Sequence, residues 1–205
     1  MILIGRNVSP FVRRTSTIMN LLDIDFEQRM LATVDAGPEI TKFNPIGRVP
    51  SLILDDGKIL IDSGAIIDFL VETYDSDRDL LPSVGERRRA ILQTTALAHA
   101  VMEKGVAASY EKTRRAKEKI CRKWLAHLET QAQQGLLELE KTAASKSSWL
   151  HGCTITVADV TVICAFDYIF ARNPILIEDS NLEALASLSE RGNRIEAFIE
   201  TAPKM

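Results

Sequence analysis

The chain has 205 residues, 46% of them hydrophobic and 26% charged, with a net charge of -3. This is the composition of an ordinary soluble globular protein, and it excludes disordered, fibrous and membrane-spanning classes. The acidic balance argues against bulk nucleic-acid binding, which needs a basic surface to neutralise phosphates.

Three cysteines, Cys121, Cys153 and Cys164, are too few and too irregularly spaced for a disulfide framework or a zinc site. A reducing compartment and no metal are expected. Met1-Ile2-Leu3-Ile4 runs at once into Gly5-Arg6, too short for the apolar region of a signal peptide. The apolar run from Val160 to Ala171 is broken by Asp167 and falls short of the ~20 residues of a spanning helix. A cytoplasmic protein is expected.

In chain order, Met1 to Gly5 reads as a buried strand. Pro10 to Leu22 reads as a helix, with Phe11, Ile18, Leu21 and Leu22 on its apolar side and proline at a permitted first-turn position. A second strand over Phe26 to Ala32 completes a βαβ unit. Pro38 to Phe43 suggests a short helix. Ser51 to Leu54 and Ile59 to Ile61 flank Asp55-Asp56-Gly57-Lys58, and Asp-Gly between two apolar runs predicts a hairpin. Ser63 can cap a helix running to about Tyr74, with Ile66, Ile67, Phe69 and Leu70 on its buried side. The order βαβ, short helix, ββα is that of a thioredoxin-like domain, placed at 1–77.

Residues 78–85, around Leu80-Leu81-Pro82, form a linker, and 86–205 show no strand-like alternation. Long helices are predicted over Glu86 to about Glu111 and Ala116 to about Thr142. The basic runs Arg87-Arg88-Arg89 and Arg114 to Lys119 read as solvated helix faces. Thr156-Val157-Ala158-Asp159 is a capping-box variant, with aspartate where glutamate is usual. The helix from Val157 to Ala171 is apolar nearly all round, so it predicts the buried centre of an all-α domain. Short helices near Leu182 to Glu190 and Arg194 to Glu200 close the chain.

Several local features bear on chemistry. Ser9-Pro10-Phe11-Val12 stands at the strand-to-helix turn where a thioredoxin-type oxidoreductase carries Cys-x-x-Cys, so dithiol chemistry is excluded. Locally, Ser9 reads either as a helix cap, worth about 1 kcal/mol, or as a functional hydroxyl. Val49-Pro50 opens a strand; a cis bond there would expose the backbone of Val49 to an extended peptide ligand. Asp62-Ser63 at a helix head either caps that helix or suits a zwitterion, since the helix end attracts a carboxylate while Asp62 attracts an ammonium group. His99, His127 and His151 all lie in the helical half, and no Gly-x-Ser-x-Gly elbow surrounds any serine. A covalent serine nucleophile, which needs a base, is therefore not expected.

Taken in order, Ser9-Pro10-Phe11-Val12-Arg13, Asn44-Pro45-x-Gly47-Arg48-Val49-Pro50, Asp62-Ser63 and Thr156-Val157-Ala158-Asp159 resemble the glutathione transferase family over essentially the whole chain. The resemblance looks closest to small bacterial homologues that begin with a Ser-Pro-Phe-Val-Arg segment. It implies a thioredoxin-like domain that binds glutathione as co-substrate, and an all-helical domain that helps bind a small hydrophobic electrophile. By position, it implies that the backbone of Val49, before a cis Pro50, pairs with the cysteinyl part. Asp62 and Ser63 would hold the γ-glutamyl end, and Arg48 would approach the glycyl carboxylate. Family members usually have glutamate before the serine. The electrophile would lodge near Val8, Phe11, Met102, Val106 and Tyr110.

The implied catalytic residue is Ser9. A free thiol has a pKa of about 8.5. One hydrogen bond to a charged acceptor is worth about 1.5–3 kcal/mol, enough to lower that pKa by roughly one to two units. Two rival readings stand beside transfer to an electrophile in a detoxifying homodimer: a non-catalytic binding or regulatory protein of the same fold, and a glutathione-dependent peroxidase, dehalogenase or isomerase.

Overall fold

In the computed structural model, which describes residues 1–33, 37–145, 148–178 and 180–203, the chain opens with β1 (Ile2–Ile4), α1 (Pro10–Leu21) and β2 (Glu27–Arg29). The second strand is shorter than the apolar pattern predicts. After α2 (Gly37–Ile40), β3 (Ser51–Ile53) and β4 (Ile59–Ile61) form the expected hairpin, and α3 (Ser63–Tyr74) follows. The sheet order is β2-β1-β3-β4. Here β1 runs parallel to β2 and antiparallel to β3, with Leu3 opposite Leu52, and β3 runs antiparallel to β4.

Leu3, Ile4 and Leu52 are buried with Val12, Ile18 and Met19 of α1 and Ile66 and Leu70 of α3. Asp75 ends α3 by accepting the amides of Asp79, Leu80 and Leu81 at 3.1–3.2 Å, so the two leucines of the connector are buried in this unit.

The second unit, Val84–Gly192, is helical among its described residues: α4 (Glu86–Thr113), a 3-10 turn at Lys117–Lys119, α5 (Arg122–Ala144), α6 (Val157–Arg172), α7 (Ile175–Glu178) and α8 (Glu183–Gly192). Every residue from Val157 to Phe166 is buried, which makes α6 the expected centre. Its head is closed by Asp159, whose carboxylate accepts the Thr156 amide at 2.8 Å, the Thr156 hydroxyl at 2.6 Å and the Leu150 amide at 2.7 Å. Burial pushes this carboxyl above its ordinary value, and the three donors pull it back only part of the way. A close approach between α4 and α6 explains Gly105, where an added Cβ would lie 2.3 Å from Ile169 Cδ1.

One expectation needs correction. The helix α5 begins at Arg122, six residues later than predicted. The Glu111 carboxylate accepts the Cys121 amide at 2.9 Å and Arg115 Nε at 2.7 Å, which ties the basic loop to the end of α4. The residues from Asn193 onward, with α9 (Glu196–Glu200), pack with the first unit. The Thr17 and Thr201 hydroxyls are 2.7 Å apart, Arg13 donates to Asn193 Oδ1 at 2.7 Å, and the Arg13 guanidinium lies over the Phe198 ring. This docking explains why α1 is buried without interruption from Pro10 to Met19.

Candidate functional site

The head of α1 is built on Gly5. Its φ of +128° is a conformation that side chains rarely adopt. A Cβ there would stand 2.6 Å from Val12 Cγ2 and 3.0 Å from Val49 Cβ. Glycine thus lets the end of β1, the first turn of α1 and the Val49 turn close on one another. Gln28 fixes the turn that follows, donating to the Gly5 carbonyl at 2.9 Å and to Asn7 Oδ1 at 2.8 Å. Ser16 adds a bond to the same Asn7 oxygen at 3.2 Å.

Ser9 is the N-cap of α1 by backbone geometry, with φ -81° and ψ 124°. Its carbonyl accepts the Arg13 amide at 3.0 Å. Its hydroxyl makes no capping bond, and no hydrogen bond to another described residue. Ser9 is half-buried, so this donor is confined and unused. The next residue, Pro10, has no amide N–H; the free backbone donors of this head begin at Phe11.

Before β3, the Val49–Pro50 bond is cis. Asn44 organises that turn from inside: its Nδ2 donates to the Arg48 carbonyl at 3.1 Å and its Oδ1 accepts the Ile46 amide at 3.1 Å. Val49 lies ahead of the β3 ladder, which begins at Ser51. Arg48 is exposed, with its guanidinium 5.7 Å from the centre of the Phe11 ring.

At the head of α3 the predicted cap is corrected. Asp62 is the N-cap, its Oδ1 accepting the Gly64 amide at 3.0 Å, and Ser63 is the first helical residue. Aspartate and serine suit an N-cap equally; here the helix starts one residue earlier than expected, and the Ser63 hydroxyl is engaged by Arg14 instead. Ser63 is fully buried. Its hydroxyl donates to Asp62 Oδ1 at 3.3 Å and accepts from Arg14 at 3.2 Å (Nε) and 2.9 Å (a terminal nitrogen).

The first unit therefore gathers the turn of Ser9, the Arg48 to Pro50 turn and, through Arg14, the Asp62-Ser63 pair around α1. Of the residues expected to meet an electrophile, Val8 is half-buried and Phe11 is buried in this unit; on α4, Met102 is wholly buried, Val106 half-buried and Tyr110 exposed. Among these, Met102 has the burial of a core residue. Gln28, Asn44 and Arg14 were not expected as site residues. Arg14 had a legible signal: Phe11, Arg14 and Ile18 share the buried i, i+3, i+7 stripe of α1, where an arginine is anomalous unless paired.

The N-terminal domain profile of the glutathione S-transferases matches residues 3–78, and their C-terminal domain profile matches 95–202. Over 98% of both chains, the sequence is 27% identical to an uncharacterized GST-like protein, YibF, of Escherichia coli K12. A glutathione S-transferase from Methylobacillus flagellatus, solved with glutathione bound, superposes with a TM-score of 0.90 at 26% identity, covering 99% of each chain. One from Methylobacterium radiotolerans, solved with glutathione sulfonate, reaches 0.92 over the whole of this chain and 95% of that one, and at 23% identity it speaks for the fold alone.

Proposed function

The chain belongs to the glutathione S-transferase family, and on that premise we propose that it binds glutathione and stabilises its thiolate for attack on a small hydrophobic electrophile. The observation that carries this reading is the unused hydroxyl of Ser9 at the head of α1. A serine hydroxyl that donates to no described residue of its own chain has its O–H available to another acceptor. A sulfur seated there receives that hydrogen bond and the positive end of the α1 dipole, and both favour thiolate over thiol. No general base is needed, because the thiol proton leaves to solvent once the thiolate is the favoured form.

The other proposed contacts follow the site's geometry. Val49 offers its backbone ahead of the β3 ladder to the cysteinyl part. Asp62 and Ser63 meet the ammonium and carboxylate of the γ-glutamyl end, and the exposed Arg48 meets the glycyl carboxylate. Glutathione bound in the Methylobacillus flagellatus relative supports the ligand. Transfer, rather than binding alone, is supported by the free state of the Ser9 hydroxyl.

A thermal-shift titration with glutathione tests binding, since a ligand that binds only the folded state raises its stability; no shift contradicts the reading. Turnover with a panel of electrophiles and peroxides then separates transfer from glutathione-dependent peroxide reduction. We further propose that the protein detoxifies electrophiles as a cytoplasmic homodimer, for which sedimentation as a monomer at micromolar concentration is the contrary result.

A further inference from the structure

Arg14 is 2% exposed, and it directs two donors onto one oxygen, the Ser63 hydroxyl. A serine hydroxyl has two acceptor lone pairs and one O–H donor. With both lone pairs filled by a guanidinium that never loses its proton, Ser63 can only donate. Its present acceptor is Asp62 Oδ1, at a long 3.3 Å, and that same oxygen holds the Gly64 amide at the head of α3. The exposed Asp62 carboxylate thus occupies the pair of donors, one hydroxyl and one amide, that suits a carboxylate of any origin.

We propose that Arg14 is a positioning residue that makes Ser63 an obligate donor and thereby selects the α-carboxylate of the γ-glutamyl group. On binding, the Asp62 side chain rotates off, the ligand carboxylate takes the Ser63 hydroxyl and the Gly64 amide, and Asp62 turns to the adjacent ammonium. A ligand with no group in place of the carboxylate offers the Ser63 hydroxyl no acceptor and loses this recognition. The buried guanidinium also sets a positive charge behind the helix head, which offsets the repulsion between Asp62 and an incoming anion. The inference rests on the glutathione reading above, and it adds a residue that touches no part of the ligand.

The test compares two ligands by calorimetry: glutathione, and the analogue lacking the α-carboxylate, 4-aminobutyryl-cysteinyl-glycine. In Arg14→Met the Kd for glutathione should rise by about tenfold or more, the scale of one hydrogen bond to a charged group. The Kd for the analogue should stay within about twofold. Ser63→Ala should show the same ligand-dependent loss. Arg14→Lys keeps the charge but not the two-pronged geometry, and should lose part of the glutathione affinity and none of the analogue's; these two variants decide the matter if Arg14→Met does not fold. Equal weakening of both ligands overturns the positioning role and leaves the glutathione reading standing. Wild-type protein that binds neither ligand overturns both.

Discussion

The heads of α1 and α6 start from the same chemistry, a hydroxyl residue at the N-cap, and reach opposite states. Thr156 is buried, and its amide and hydroxyl both end on the Asp159 carboxylate, which also takes the Leu150 amide. Ser9 is half-buried, and its hydroxyl reaches nothing among the described residues. The α6 head is saturated by its own chain, so its product is stability. The α1 head is left open, so its donors remain for a ligand. The difference lies three residues on, where α6 has Asp159 and α1 has Val12. Asp159 offers an acceptor to both the amide and the hydroxyl of Thr156; Val12 offers neither, and the Ser9 amide goes instead to the Arg6 carbonyl at 2.9 Å.

Breaking the saturated head should have the largest effect. Asp159→Ala strands the Thr156 amide, the Thr156 hydroxyl and the Leu150 amide in a buried place. At about 1–3 kcal/mol for each unpaired group, the loss should be roughly 3 kcal/mol or more by denaturant unfolding. A loss under about 1 kcal/mol would remove the contrast on which the comparison rests.

Gly5→Ala attacks the open head through its backbone. A positive φ held by a side-chain residue costs of order 1–3 kcal/mol, and the added methyl meets Val12 at 2.6 Å. Both lower stability, and displacement of the α1 head should weaken glutathione binding as well. Unchanged affinity would mean that the turn tolerates the shift.

Ser9→Ala is the smallest change in stability and the sharpest in meaning. Removing a working cap costs about 0.5–2 kcal/mol. Here no cap bond exists, so the shift should stay within about 0.5 kcal/mol, the range of an ordinary surface change. Turnover should fall with glutathione affinity nearly intact. A loss of a full cap's worth of stability would restore the structural reading of Ser9.

What could be read from the residues and what could not divides along the distance of the deciding contact. The α1 start at Pro10, the Asp-Gly hairpin and the buried α6 are written in neighbouring residues, and each appears where the local pattern puts it. The identity of the α3 cap was missed by one residue, because aspartate and serine both suit an N-cap and only the geometry of the helix entry chooses between them. The late start of α5 depends on Glu111 holding the Cys121 amide ten residues away. The docking of the chain end on α1 depends on Thr17 and Thr201, 184 positions apart. No local periodicity encodes that pair.

The candidate site was legible in outline: Ser9, Val49-Pro50 and Asp62-Ser63 stand out as residue types at particular turns. Their supports were not. Gln28, Asn44 and Arg14 act across the fold on backbone and hydroxyl groups. Only Arg14, as a charge on an apolar stripe, carried a warning in the sequence.

The central claim concerns one proton, that of the glutathione thiol seated at the α1 head. Its pKa, followed by the ultraviolet absorbance of the thiolate in the bound complex, should lie roughly one to two units below the value of about 8.5 for a free thiol in the wild-type protein. It should return most of the way in Ser9→Ala. An equal pKa in the two proteins would contradict the claim, and would assign any stabilisation of the thiolate to the backbone of α1 instead.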